Sequence, residues 1–148
     1  MSRKITPVVL AFLLLSGFAA TVSAGPAGSC DRDCLKGFIT KYLDALVAQK
    51  PESLPLADNI KFTEDCNELK LGEGIWGSDV TLTDYRRDIL DVREGVAVSF
   101  LVVEENGSRI MYSIRLKTDG RAINEIESMA VRNREEGMLF NLDNLKFT

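Results

Sequence analysis

Apolar residues recur at intervals of three and four from Asp31 onward, at Leu35, Phe38, Ile39, Tyr42, Leu43, Leu46 and Val47. That spacing is one face of an amphipathic helix, with Asp31 or Asp33 as its cap and an end near Gln49, ahead of Pro51. The period then changes. Beyond a proline-containing stretch, a short strand is predicted over Asn59 to Thr63, a turn at Asp65-Cys66-Asn67, and a partner strand over Glu68 to Leu71. Gly72, Gly74 and Gly77 bracket Ile75 and Trp76 in an irregular turn, which lacks the fingerprint and the strand-to-helix setting of a phosphate-cradling loop. After Thr81 the pattern is strand-like. The long segments Val96 to Glu105, Arg109 to Thr118 and Ala122 to Arg132 follow, joined at Asn106-Gly107 and Asp119-Gly120. Both dipeptides are hairpin signals, so the segments read as an antiparallel meander. The tail, Met138 to Phe147, carries Leu139, Phe140, Leu142, Leu145 and Phe147, enough apolar surface to dock on the sheet or on a partner subunit.

Two-residue turns fix the register. With Glu105 opposite Ser108 and Thr118 opposite Arg121, one face collects Val96, Val98, Phe100, Val102, Met111, Ser113, Arg115, Asn124 and Ile126. The other collects Ala97, Leu101, Val103, Ile110, Tyr112, Ile114, Leu116, Ile123, Glu125 and Glu127. Both faces are largely apolar, so both are expected to be covered in part, one by the helix and one by a second subunit. Ile123 and Ile126 are out of phase, which makes a bulge there plausible, and a bulge would exchange the two sets beyond it.

The start of the chain adds a destination. Arg3 and Lys4 precede an apolar run from Val8 to Phe18, broken only by Ser16 and Gly17, and Val22-Ser23-Ala24 stands before Gly25 as a small-x-small cleavage pattern. Residues 1–24 therefore read as a signal peptide, leaving a single domain over 25–148 that is secreted or periplasmic. The run falls short of the roughly 20 apolar residues that span a bilayer, and a lipid anchor on Cys30 is the weaker alternative. At a formal net charge of −4, neither nucleic acid nor an anionic membrane surface is an expected partner.

Histidine is missing from all 148 residues. Imidazole-based triads and histidine metal sites are thereby excluded within this chain, and acid–base work falls to Asp, Glu, Tyr, Lys or Cys. No metal or cofactor is expected. Cys30, Cys34 and Cys66 suggest one disulfide and a spare thiol; three pairings are open, and Cys30 with Cys34 is favoured at the start of the helix. Arg115 and Glu125 are charges inside apolar strands: the arginine would orient a substrate oxygen and the carboxylate would serve as base, against the plainer reading of a cross-strand ion pair. Tyr42, Trp76, Tyr85 and Tyr112 are candidates to line an apolar cavity with their polar tips directed at a ligand, against ordinary core packing. Asn106-Gly107-Ser108 is a formal glycosylation sequon that reads first as a turn.

Several stretches carry a resemblance. Cys30-Asp31-Arg32-Asp33-Cys34-Leu35, Tyr42-Leu43-Asp44-Ala45-Leu46-Val47-Ala48, Leu54-Pro55-Leu56-Ala57, Phe62-Thr63-Glu64, Leu71-Gly72-Glu73-Gly74-Ile75-Trp76 and Val103-Glu104-Glu105-Asn106-Gly107 resemble a mostly secreted group of bacterial and fungal domains. That group has no agreed activity. It is similar in layout to the nuclear-transport-factor-2-like (SnoaL-like) superfamily, the α+β roll also found in ketosteroid isomerase, limonene epoxide hydrolase and the polyketide cyclases. The resemblance implies a cone-shaped α+β roll, an N-terminal helix packed on a curved antiparallel sheet around a cavity. It transfers no catalytic set, because the superfamily's enzymes place different residues on one scaffold. Members of the group often continue into a second related domain, so a chain ending at Thr148 is expected to dimerise, and such rolls often pair through the convex sheet face. Two functions follow as expectations. One is an exported binder of an apolar small molecule with a polar group, extending to a cofactor-free lyase, isomerase or hydrolase. The other is a non-catalytic binding or assembly module.

Overall fold

The computed structural model describes residues 30–139 and 141–145, so the segment 1–24 expected to be a signal peptide and the tail residues Phe140 and Phe147 lie outside the described residues. Asp31 stands in extended backbone ahead of α1 (Arg32–Val47), and its carboxylate accepts the Cys34 amide proton at 2.9 Å. That contact satisfies one of the donors a helix start leaves open. Cys30 and Cys34 form the disulfide, their Cα atoms 5.3 Å apart, and Cys66 is a free, exposed thiol. The face built from Leu35, Phe38, Ile39, Tyr42, Leu43 and Leu46 is buried as its spacing requires. Val47 instead turns to solvent, because the helix closes there and Gln49 enters left-handed backbone at φ 53°.

Six strands follow: β1 (Leu56–Glu64), β2 (Asn67–Glu68), β3 (Val80–Asp91), β4 (Val96–Glu105), β5 (Ser108–Thr118) and β6 (Ile123–Val131), in the spatial order β2-β1-β6-β5-β4-β3. The meander β3 to β6 is antiparallel, but β1 runs parallel to β6, so the sheet is mixed. The rest of the meander separates these two strands in sequence, so no tight turn sets their relative direction. Register shifts in the β1–β6, β3–β4 and β5–β6 pairs bend the sheet around the helix.

One shift decides the faces. Thr118 pairs with Ile123 rather than Arg121, because the Asp119 carboxylate accepts the amides of Arg121 and Ala122 at 2.8 and 2.9 Å and widens the turn. Beyond the irregularity Leu116 pairs with Ile126 and Arg115 with Glu127. Ile126 thus joins Ala97, Leu101, Tyr112, Ile114 and Leu116 in the core under α1, while Glu125 and Glu127 move to the outer face beside Arg115. The outer face is covered only in part. Val102 and Leu142 are buried outside the main core, and the short 3-10 helix Leu142–Asn144 packs on β5.

Candidate functional site

Pairing across the sheet lines up Glu64, Ser128, Ile114, Ser99 and Asp88 on the inner face, one from each of five strands. Above the β1 side of that row, α1 delivers Tyr42 and β5 delivers Tyr112, their hydroxyl oxygens 2.7 Å apart. Trp76 meets the Tyr42 ring edge-on, with centroids 5.2 Å apart and planes at 83°. Burial pushes both tyrosine hydroxyls above their ordinary acidity range, so each is a neutral donor and acceptor. The Trp76 Nε1 proton has no hydrogen-bond partner, which singles it out among the described buried side-chain polar atoms.

Glu64 organises the neighbouring turn. Its two carboxylate oxygens accept the Ile75 amide proton at 3.1 and 3.2 Å, and the Ser128 hydroxyl donates to it at 3.2 Å. The residue at position 74 must be small and left-handed: Gly74 has φ +66°, and a Cβ there would stand 2.6 Å from Glu64 Oε1. Arg132 lies 3.7 Å from Glu64 but grips Glu105 at 2.6 and 3.0 Å. The two carboxylates are consequently driven apart. Burial raises Glu64 above its ordinary value, whereas the hydrogen bonds from Arg132 lower Glu105.

Tyr42, Tyr112 and Trp76, expected to line a cavity, do come together, but at most 3% of each is exposed. They fill the interior, and the pockets described below and in the recess beside α1 are lined by other residues. Tyr85 stands apart, half-buried on β3, with the Arg87 guanidinium 5.7 Å from its ring centroid. Ser128, a polar partner of the interior, was not among the sequence candidates, and Glu64 reads in the sequence as a solvated or capping carboxylate, whereas it is buried. Their signal was slight: Glu64 alternates with Phe62, and that places it inside only once β1 is known to run beside β6.

Open space lies on the other face of the same strands. Cross-strand pairing sets Phe100, Ser113 and Met129 in one row and Val98, Arg115 and Glu127 in the next. Ser113 is the small residue between two long ones, and the gap it leaves is the floor of a groove of about 480 Å³, bounded at its β1 end by Thr63 and Cys66. Arg115 closes one side. Its guanidinium donates to Glu125 at 2.9 Å and lies 3.5 Å from Glu127, and the hydrogen bond from Arg115 holds Glu125 below its ordinary range. Arg115 and Glu125 therefore do meet, as a partly exposed ion pair at the groove. Among the described residues no cluster of three or more His, Cys, Asp or Glu side chains is arranged to hold a metal ion.

Solved structures share this layout at low sequence identity. An NTF2-like protein of unknown function from Cytophaga hutchinsonii matches with a TM-score of 0.52 at 11% identity, over 65% of this chain and 88% of its own. The BvnE pinacolase of Penicillium brevicompactum matches with a TM-score of 0.55 at 12% identity, over 71% and 86%. A candidate ketosteroid isomerase from Kribbella flavida matches with a TM-score of 0.54 at 15% identity, over 78% and 95%. This chain has the NTF2-like fold. No protein-family model and no curated protein matches the sequence. The NTF2-like roll hosts enzymes as well as proteins without assigned chemistry, so the scaffold is shared and the function must be argued from the side chains. Here those side chains divide the roll into a closed, mainly apolar interior that holds a small polar cluster and an open outer groove.

Proposed function

We propose that this protein is an exported binder of a small, largely apolar molecule carrying a polar or acidic group, held in the outer-face groove with Arg115 at its polar end. One observation supports the reading above others: the groove, at about 480 Å³, has a size suited to a small organic ligand and an apolar floor with charge at one side. The carboxylate bonded to the groove's arginine favours binding over catalysis. Glu125 is ion-paired and lowered, the reverse of what a general base at neutral pH needs. The raised carboxylate, Glu64, is engaged in holding the Gly74–Gly77 turn.

A second reading rests on Glu64 itself. A buried carboxylate of raised pKa near a tyrosine pair is the kind of group that moves a proton in a cofactor-free isomerase or lyase. It would act only if the Gly72 to Gly77 turn opened to admit substrate. A homodimer through the sheet face is the assembly form of the proposal, and it would roof the groove.

Native mass spectrometry of the protein from an exported fraction separates these readings by recording subunit number and any retained molecule. The expected result is a ligand kept by the wild type and by Glu64→Gln but lost on Ser113→Phe, which fills the floor. A ligand kept by Ser113→Phe and lost with Glu64→Gln would move the site to the interior and overturn the groove.

A further inference from the structure

Away from the groove, the first half of α1 and the edge strand β3 enclose a recess of about 520 Å³. Four basic residues line it, Arg32, Lys36, Arg86 and Arg87, against two acidic ones, Asp33 and Asp88, in a chain whose formal charge is −4. Asp33 offsets part of that charge, while the other acid is already engaged. Asp88 accepts from Arg86 Nε and Nη2 at 2.9 and 2.8 Å and from the Ser99 hydroxyl at 2.8 Å, so its charge is already matched.

The same contacts immobilise Arg86. Its Nη1 donates to Thr40 Oγ1 at 3.1 Å, which ties the guanidinium to the helix as well as to its own strand. Arg86 is thus a fixed wall of the recess, its charge met by Asp88, and the cations open to a ligand are those on α1. Lys36 projects from the next turn of α1, and among the described residues its ammonium has no ion-pair partner. Arg32 makes one long contact, from Nη1 to the Leu90 carbonyl at 3.4 Å. The backbone carrying both is steadied by the Cys30–Cys34 disulfide and the Asp31 cap. Leu90 supplies an apolar wall.

We propose that this recess binds a small organic anion, its carboxylate or phosphate group held by Arg32 and Lys36 beside the Arg86–Asp88 pair, and its apolar part against Leu90. A guanidinium and an ammonium one turn apart on α1 suit such an oxyanion, and their positive charge draws it from solution. The site is separate from the outer groove and does not depend on it.

The test is an NMR titration of the ¹⁵N-labelled protein with phenyl phosphate, benzoate and, as a neutral control, benzyl alcohol. Saturable shifts are expected at the amides of Arg32 to Lys36 and Arg86 to Leu90 with one or both anions, weakening as salt is added, and none there with the alcohol. Whichever anion binds more tightly identifies the headgroup. The double variant Arg32→Ala/Lys36→Ala, both positions exposed, is expected to keep its spectrum and lose roughly tenfold in affinity. Equal shifts with benzyl alcohol, shifts confined to Phe100, Ser113 and Met129, or an unchanged affinity in the double variant would overturn the site. If the double variant does not fold, Lys36→Glu alone carries the same expectation.

Discussion

The two faces of this sheet use alternate residues of the same strands for opposite purposes. On the inner face, Glu64, Ser128, Tyr42 and Tyr112 are shut away from water and bonded to partners, with Trp76 Nε1 as the exception. On the outer face, Arg115, Glu125 and Glu127 pair in partial contact with solvent beside a gap left by Ser113. A buried polar group is costly to orphan, whereas an exposed pair contributes little. Stability should therefore respond to the inner face and ligand binding to the outer one, and substitutions should separate the two.

The largest loss is expected from Glu64→Ala. It removes the acceptor for the Ile75 amide and the Ser128 hydroxyl together, which places the cost at about 2–4 kcal/mol in urea unfolding. Gly74→Ala should follow at about 1–3 kcal/mol, because it adds a Cβ against the same carboxylate in left-handed backbone. If both variants unfold at the wild-type urea concentration, the turn is not held by Glu64 and the inner face loses its distinction.

A pH profile sharpens the same contrast. The fold favours the neutral form of Glu64, so the native state holds an extra proton, and this group's contribution falls as pH rises from its ordinary value near 4.5 through the raised one. Glu105 has the reverse sign. Its contribution is present above the ordinary carboxylate value and is lost as pH falls through the lowered one. Glu64→Gln should flatten the upper limb and leave the acid limb intact, measured as unfolding free energy against pH. An upper limb unchanged in the glutamine variant would show that Glu64 does not titrate with folding.

Smaller still is the expected effect of Tyr112→Phe, about 1 kcal/mol, for the hydroxyl pair shared with Tyr42. Ser113→Phe, on the opposite face of the adjacent residue, should change stability by no more than about 0.5 kcal/mol while abolishing retention of a groove ligand. Neighbours in sequence would then differ in kind of effect, a result that the alternation of a strand predicts and that a uniform core would not give.

How much of this was legible in the sequence follows the range of the interactions. Asn106-Gly107 fixed the β4–β5 register because a two-residue turn is a local event, and the three-and-four spacing placed every buried residue of α1 except Ala45. The direction of β1 was not legible, since its partner β6 lies about sixty residues away, and with it went the inward aim of Glu64. The suspected bulge near Asn124 decides that Glu125 points outward, yet its location depends on how the Asp119 carboxylate shapes the turn. The groove escaped for a similar reason. Ser113 is unremarkable in its own strand and becomes a floor only between Phe100 and Met129 of two others.

The finest discrimination concerns Arg115. If it serves only as an ion pair, Arg115→Ala and Glu125→Gln should each cost no more than about 1 kcal/mol and leave the groove's ligand untouched. If it faces a ligand's polar group, the two should diverge. Arg115→Ala removes the attraction, whereas Glu125→Gln releases the guanidinium from its shortest partner and should tighten an acidic ligand. That gain is limited to roughly twofold to threefold, because Glu127 still stands 3.5 Å away and continues to neutralise part of the charge. Titration calorimetry of the co-purified molecule on the two variants reads the sign directly. Weakening with one and strengthening with the other assigns Arg115 to the ligand, while parallel small losses return it to the surface of the sheet.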